Sequence, residues 1–355
     1  MLALASAIMG VGPAREVEVA VTIRDVAAAA GVSLTTVSHV LSNQGRIGEK
    51  TRQRVLDVAN QLGYRANVHA QQLVTNRSRT IAIQVAPFDS TSKSSMLIPN
   101  SEYFLEVLNG ASDEADRNGY ALVLTPPGVG PTTISAFAVD GAIIVDPHGD
   151  EGLLDPRWTA DHPVVTAGRT TAQRRRAYVV DNDHRGAAIN AFDHLWEQGY
   201  RRPAAMITDR ARSYTRDVVD GYQEWTKKRG VPYHAVETGT DKSAKAALRQ
   251  LLDGPHPPDA VYAGSEDIAL DVLHEAARLG VRIPEDLGLC SCVDSSTFNL
   301  TTPEVSGLFC NPRTIGGQAV SLLIGLIDGD EPAVDTITVP TELNIRRSTL
   351  RSQTN

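Results

Sequence analysis

The chain has 355 residues, room for two or three domains and a large core. With 42% hydrophobic residues and no apolar run reaching the ~18 residues of a membrane span, it excludes a transmembrane protein and a wholly disordered one. The net charge of -8 hides an asymmetry: residues 21–80 carry eight Lys or Arg against three Asp or Glu, whereas residues 81–355 carry 25 against 37. A basic head on an acidic body confines attraction for phosphate to the head. The three cysteines, Cys290, Cys292 and Cys310, lack metal-ligand spacing. Cys290 and Cys292 stand two apart in a predicted strand, share a face and are expected as buried thiols.

Residues 1–20 are expected as a disordered tail or a start-site extension. Leu2 to Val11 is apolar, but no Lys or Arg precedes it as in a signal peptide. From Val21 to Leu41 the sequence predicts two short helices broken by a turn. Thr22 can cap the first, and Asp25 in its first turn suits the positive end of the helix dipole. Ile23, Val26, Ala27 and Ala30 form its apolar face, and Gly31 ends it. Ser33 can cap the second, with Val37, Val40 and Leu41 inward and Leu34, Thr35, Ser38 and His39 outward. A short helix presenting small and hydrogen-bonding residues after a tight turn suits the second helix of a helix-turn-helix. A third helix is expected from Gly48 to Gly63, with Val55, Val58, Ala59 and Leu62 as its stripe. The basic segment Asn76-Arg-Ser-Arg79 follows.

These residues resemble the lactose-repressor (LacI/GalR) family of transcriptional regulators. The resemblance lies in Thr22-Ile-Arg-Asp-Val-Ala, Ala30-Gly-Val-Ser, Thr36-Val-Ser-His-Val, Thr51-Arg, Leu62-Gly-Tyr, and Asn67 with Ala70-Gln-Gln-Leu73. It implies that Leu34, Thr35 and His39 read base edges and that Ser33, Thr36, Ser38, Thr51, Arg52 and Asn67 touch phosphates. Chemically, Leu34 offers only apolar contact, suited to a thymine methyl, whereas His39 can donate to a purine N7 or O6. By the same resemblance Asn67 to Val74 is a hinge helix, and Leu73 wedges into a minor-groove step, trading unstacking for contact with bent DNA.

Beyond Thr80, strands alternate with helices. Strands are predicted at 80–86, 120–124, 141–146, 164–166, 178–182, 204–207, 260–263 and 287–292. Helices are predicted at 104–119 (Leu105, Leu108, Ala111 and Ala115 inward), 185–198, 218–229, 242–252, 268–279 and 315–327. Such alternation implies an α/β body of parallel sheets covered by helices. Two units in series make two lobes with a ligand crevice at the carboxyl ends of the strands. The expected organisation is therefore tail 1–20, all-α helix-turn-helix head 21–66, hinge helix and linker 67–79, two-lobed effector-binding and dimerisation domain 80–347, and tail 348–355.

The body motifs Asp181-Asn182, Asp220-Gly-Tyr222, Ile283-Pro-Glu-Asp286 and Pro340-Thr-Glu-Leu343 resemble the family's effector domain, which is similar to periplasmic sugar-binding proteins. The resemblance implies effector contacts at Tyr103, Phe104, Arg169, Arg216, Ser265, Glu266 and Asp294. Two departures stand out. Val293 occupies a place where the family usually has a sugar-binding carboxylate, and Gly239 one where many members carry an aromatic platform. No oligomerisation helix follows Arg347, which favours a homodimer over a tetramer.

No nucleophile elbow, Walker loop or dinucleotide fingerprint is present, and His256 and His274 lack ligand-spaced partners. An enzyme is not expected, and neither is a cofactor, a metal or a membrane partner. The expected protein is a cytoplasmic repressor that binds a double-stranded pseudo-palindromic operator as a dimer, under a carbohydrate or related effector. The alternatives are a solute-binding receptor with the same body fold, or a non-sugar effector such as a sugar phosphate or nucleobase.

Overall fold

The computed structural model describes residues 21–41, 45–64, 77–87, 101–128, 130–134, 137–170, 178–238 and 243–351. The chain divides into two compact units, Met1–Asn76 and Arg77–Asn355. The expectations for residues 1–20, for the hinge helix with Asn67 and Leu73, and for Gly239 fall outside the described residues.

In the first unit, α1 is Ile23–Ala30, α2 Leu34–Leu41 and α3 Glu49–Gln61. Val26, Ala27, Ala30, Val37, Val40, Val55 and Ala59 form one small core, one face from each helix. The Thr22 N–H and hydroxyl both donate to Asp25 Oδ2, at 2.8 and 2.7 Å, and fix the start of α1. Gly31, at φ +63°, ends it in a left-handed conformation that other residues adopt only with strain. Ser33 Oγ accepts from the Thr36 N–H at 3.1 Å and caps α2. One expectation fails. Leu62 is 38% exposed, because the chain turns at Gly63 and brings Tyr64 back onto the core with its N–H on the Ala59 carbonyl at 2.9 Å.

The second unit holds two six-stranded sheets. The first contains β1 Thr80–Val85, β2 Ala121–Thr125, β3 Gly141–Val145, β4 Val164–Ala167, β5 Tyr178–Asn182 and β11 Thr336–Val339, in the order β11-β5-β4-β3-β1-β2, all parallel. The second contains β6 Pro203–Ile207, β7 Ala235–Glu237, β8 Ala260–Ala263, β9 Gly288–Ser291, β10 Ser306–Phe309 and β12 Glu342–Asn344, in the order β12-β10-β9-β8-β6-β7. Only β12 runs antiparallel there, against β10.

Each sheet has an apolar cluster on both faces, as a parallel sheet requires. In the first lobe α4 (Glu102–Arg117) covers one face, and the turns carrying Ile134, Leu153 and Trp158 cover the other. In the second lobe α5 (His184–Glu197) and α6 (Ser213–Arg229) face α7 (Ala244–Leu252) and α8 (Glu266–Leu279) across the sheet. The last helix, α9 (Pro312–Asp328), returns to the first lobe.

On α4, Phe104 and Val107 are buried and Leu105 is 52% exposed, the reverse of the expected inward Leu105. The helix begins at Glu102, and its buried stripe runs through Phe104, Val107, Ala111 and Ala115. Helix α6 begins five residues earlier than expected, at Ser213.

The chain passes between the lobes after β5, β10 and β11. Asn182 ties these passages together, its Nδ2 donating to the Cys310 carbonyl at 3.1 Å and the Val339 carbonyl at 2.9 Å. Asn311 adds a bond to the Pro340 carbonyl at 2.9 Å.

Candidate functional site

On the head, α2 presents Leu34, 44% exposed, with Thr35 and Ser38 exposed and His39 half-buried. The order of caps and apolar residues along α2 dictates this outward face. The hydroxyls of Ser33 and Thr36 bond each other at 2.9 Å, so both are held at the start of α2. Thr51 and Arg52 lie half-buried in the first turns of α3.

Between the lobes of the body, the carboxyl ends of the strands converge on a cleft. Tyr103, at the start of α4, packs against the apolar clusters of both lobes. Burial, with Asp146 and Cys310 nearby, holds its phenol well above the ordinary value. Phe104 is 5% exposed and belongs to the first lobe's core.

Arg169, just after β4, donates Nε to Asp181 at 3.1 Å and also pairs with Asp217 on α6, so it bridges the lobes. Asp181 further meets His184 Nε2 at 3.2 Å and the Asn182 N–H at 2.8 Å. Burial alone would raise its carboxyl, but His184, Asn182 and Arg169 outweigh that and hold it below the usual range.

Ser265 caps α8, accepting from the Ile268 N–H at 3.2 Å. Glu266 accepts from Ser295 Oγ at 2.8 Å, and the same hydroxyl reaches Glu102 of the first lobe at 3.3 Å. Glu102 also takes the Ser296 N–H at 2.6 Å, a second bridge between the lobes. Asp294 is held inside the second lobe by Arg346, at 2.7 and 3.0 Å, and by Asn344 Nδ2 at 2.5 Å. Arg216 is exposed on α6, with Nε on the Arg210 carbonyl at 2.8 Å.

The structure thus brings Tyr103 and Arg169 to the cleft, puts Phe104 in a core, and leaves Arg216 exposed on α6. Three residues that sequence reasoning did not single out occupy the cleft instead. Arg212, the N-cap residue of α6, is 2% exposed and crosses to the first lobe, donating to the Asp146 carbonyl at 2.9 Å and to the Pro87 carbonyl. Asp146 follows β3 directly, and burial raises its carboxyl above the ordinary value despite Arg212. Tyr214, bonded to Thr208 Oγ1 at 3.1 Å, is pushed up to about 12 by burial and Asp146. The available signal was position: Asp146 ends a buried apolar strand, where ligands bind in such folds.

Cys290 is buried and Cys292 half-buried, and burial lifts each thiol to about 12, so they are inert. Among the described residues, no group of His, Cys, Asp and Glu could hold a metal ion, and no helix is long and apolar enough to cross a membrane.

A three-helix head with a capped, outward-facing α2, joined in one chain to a two-lobed α/β body with a bridged polar cleft, defines a regulator that couples DNA reading to ligand binding. Residues 22–67 match the profile of bacterial regulatory proteins of the lacI family, and residues 192–349 that of the periplasmic binding protein-like domain. The chain therefore carries a LacI-family helix-turn-helix domain followed by a periplasmic-binding-protein-like domain. It is 27% identical to the HTH-type transcriptional regulator DegA of Bacillus subtilis (strain 168), over 92% of this chain and 98% of DegA. Among solved structures, the transcriptional regulator CelR–cellobiose complex matches at 25% identity with a TM-score of 0.66, covering 92% of this chain and 99% of that one. The lac repressor dimer bound to operator and the anti-inducer ONPF shares the fold at 22% identity with a TM-score of 0.73, covering 93% and 99%.

Proposed function

We propose that this chain is a cytoplasmic, homodimeric transcriptional repressor that binds a pseudo-palindromic operator and is controlled by a small molecule in the interlobe cleft. The observation that carries the reading is the combination in one chain of the exposed α2 face and the bridged cleft. The likeness to regulators over nearly the whole chain supports it, as does the CelR complex, whose partner is cellobiose. The head argues against a secreted receptor, which has no use for a base-reading helix. A ligand that prefers one arrangement of the lobes would shift that equilibrium and, by linkage, operator affinity.

In this proposal Leu34, Thr35 and His39 read bases. Ser33, Thr36, Ser38, Thr51, Arg52 and Asn67 anchor phosphates. Residues 21–66 are the head, 67–79 the hinge and linker, and 80–347 the effector and dimer domain.

The test is a selection of bound duplexes from a random library, followed by titration of the winner with salt. Affinity is expected to fall by about 10³ between roughly 50 and 200 mM salt if about six phosphates are neutralised. His39→Ala should relax preference at one position per half-site by about 1–3 kcal/mol, whereas Arg52→Ala should weaken all duplexes alike. Equal losses on cognate and random DNA would move His39 to the phosphate contacts. Leu73→Ala should abolish the preference for cognate DNA and leave effector binding intact. Unchanged operator affinity would remove Leu73 from the mechanism.

A further inference from the structure

Among the described residues, the charged group of the cleft with an unfilled hydrogen-bonding role is the Asp146 carboxylate. Its backbone is committed: the N–H donates to the Ala167 carbonyl at 2.8 Å, and the carbonyl accepts from Arg212. The residue is held at φ +51°, a left-handed conformation uncommon for a residue other than glycine. Gly168 lies directly against it; a Cβ there would stand 2.9 Å from Asp146 Oδ1, so the absent side chain makes its space.

Among the described residues the carboxylate takes no hydrogen bond. Tyr103 of the first lobe and Tyr214 of the second both sense its charge, as do Cys292 and Cys310, which places it between the lobes. The other charged or titratable groups near it are Arg212, Asp181, His184 and His148.

The cations there already hold acceptors. Arg212 serves the Asp146 and Pro87 carbonyls, Arg169 serves Asp181 and Asp217, and His184 pairs with Asp181. An entering anion would meet the Asp146 and Asp181 carboxylates and cations that already hold acceptors. A neutral ligand with O–H or N–H groups would give Asp146 the donors it lacks, and a charge-assisted bond of that kind is the strong kind.

We propose that Asp146 is the specificity-determining acceptor for a neutral, hydroxyl- or N–H-bearing effector, supplying from the first lobe the carboxylate that Val293 lacks and that Asp294 has committed to Arg346. This inference rests on the reading of the cleft as the effector site. It sets aside an anionic effector such as a sugar phosphate.

The test uses the full chain, with calorimetry against cellobiose, glucose and adenosine as neutral probes and glucose 6-phosphate and citrate as anionic ones. A neutral probe is expected to bind, and Asp146→Asn should weaken it by about 10- to 100-fold. Asn tolerates positive φ, so the backbone survives the change. Binding confined to the anions, an affinity unmoved by Asp146→Asn, or no neutral binding at millimolar concentration would each overturn the assignment.

A ligand-free readout stands beside it. Removing a half-buried charge that takes no hydrogen bond should raise the melting temperature of Asp146→Asn at neutral pH. The gain should shrink in acid, where the wild-type carboxyl is protonated and no longer costs stability. A lowered melting temperature at neutral pH would show that the carboxylate already has a partner, which also overturns it. Operator binding by the unliganded wild-type chain is measured separately, and its absence would strike the function proposed above without touching the role of Asp146.

Discussion

Arg212→Ala is expected to destabilise the body by about 3–4 kcal/mol. The side chain is 2% exposed and spans the cleft to two main-chain carbonyls of the other lobe, those of Asp146 and Pro87. Truncation leaves both acceptors without their donor in a place where water enters poorly, and an unfilled buried acceptor costs about 1–3 kcal/mol. It also removes the cation that most offsets the burial of Asp146, ahead of His184 and His148. Arg212→Lys should recover only part of the loss, because a single ammonium lacks the planar fork that reaches two carbonyls at once. All three tryptophans, Trp158, Trp196 and Trp225, lie in the body, so their fluorescence during urea unfolding reports this unit without the head. A denaturation midpoint within error of wild type would mean that the bridge contributes nothing to the folded body.

Asn182→Leu is expected to cost about 2–3 kcal/mol, and Asn182→Asp more. The Asn182 amide donates to two carbonyls on the other two interlobe passages, while its own Oδ1 is buried and unpartnered. Leucine of similar size abandons the two carbonyls but also removes the orphaned oxygen, which offsets part of the cost. Aspartate places a carboxylate against the Cys310 and Val339 carbonyls, where attraction becomes repulsion, and it sits beside Asp181 as well. The order wild type, Leu, Asp in midpoint is the discriminating result. A Leu variant as stable as wild type would show that the donor side of Asn182 is not what holds the passages together, and an Asp variant as stable as the Leu variant would show that the predicted repulsion is absent.

The elements legible in the sequence are those whose burial is one-sided or complete. The strands β1, β3, β6 and β8 are continuous apolar runs because both faces of a parallel sheet are covered. The strands that escaped notice, β7, β11 and β12, are short and sit at sheet edges, where burial is mixed and leaves no pattern to read. Strand β10, Ser306–Phe309, is flanked by buried neighbours but carries Ser and Gly where periodicity needs larger side chains.

The sequence by itself determined the head, because caps and apolar faces there act within a few residues: Thr22 with Asp25, Gly31, and Ser33 with Thr36. It also determined the alternating α/β body. The cleft was decided only by the tertiary structure. Arg212 and Arg216 lie one helical turn apart, and only bonds to residues far off in sequence, the Asp146 and Pro87 carbonyls, single out Arg212. Asp294 is neutralised by Arg346, which joins it only when β12 returns beside β10. The Asp146 carboxylate has its room only because the residue at the end of the neighbouring strand, Gly168, has no side chain. Hydrogen bonds and charge pairs between residues far apart in sequence carry no local signature, so the chemistry of the site emerges only once the lobes are assembled.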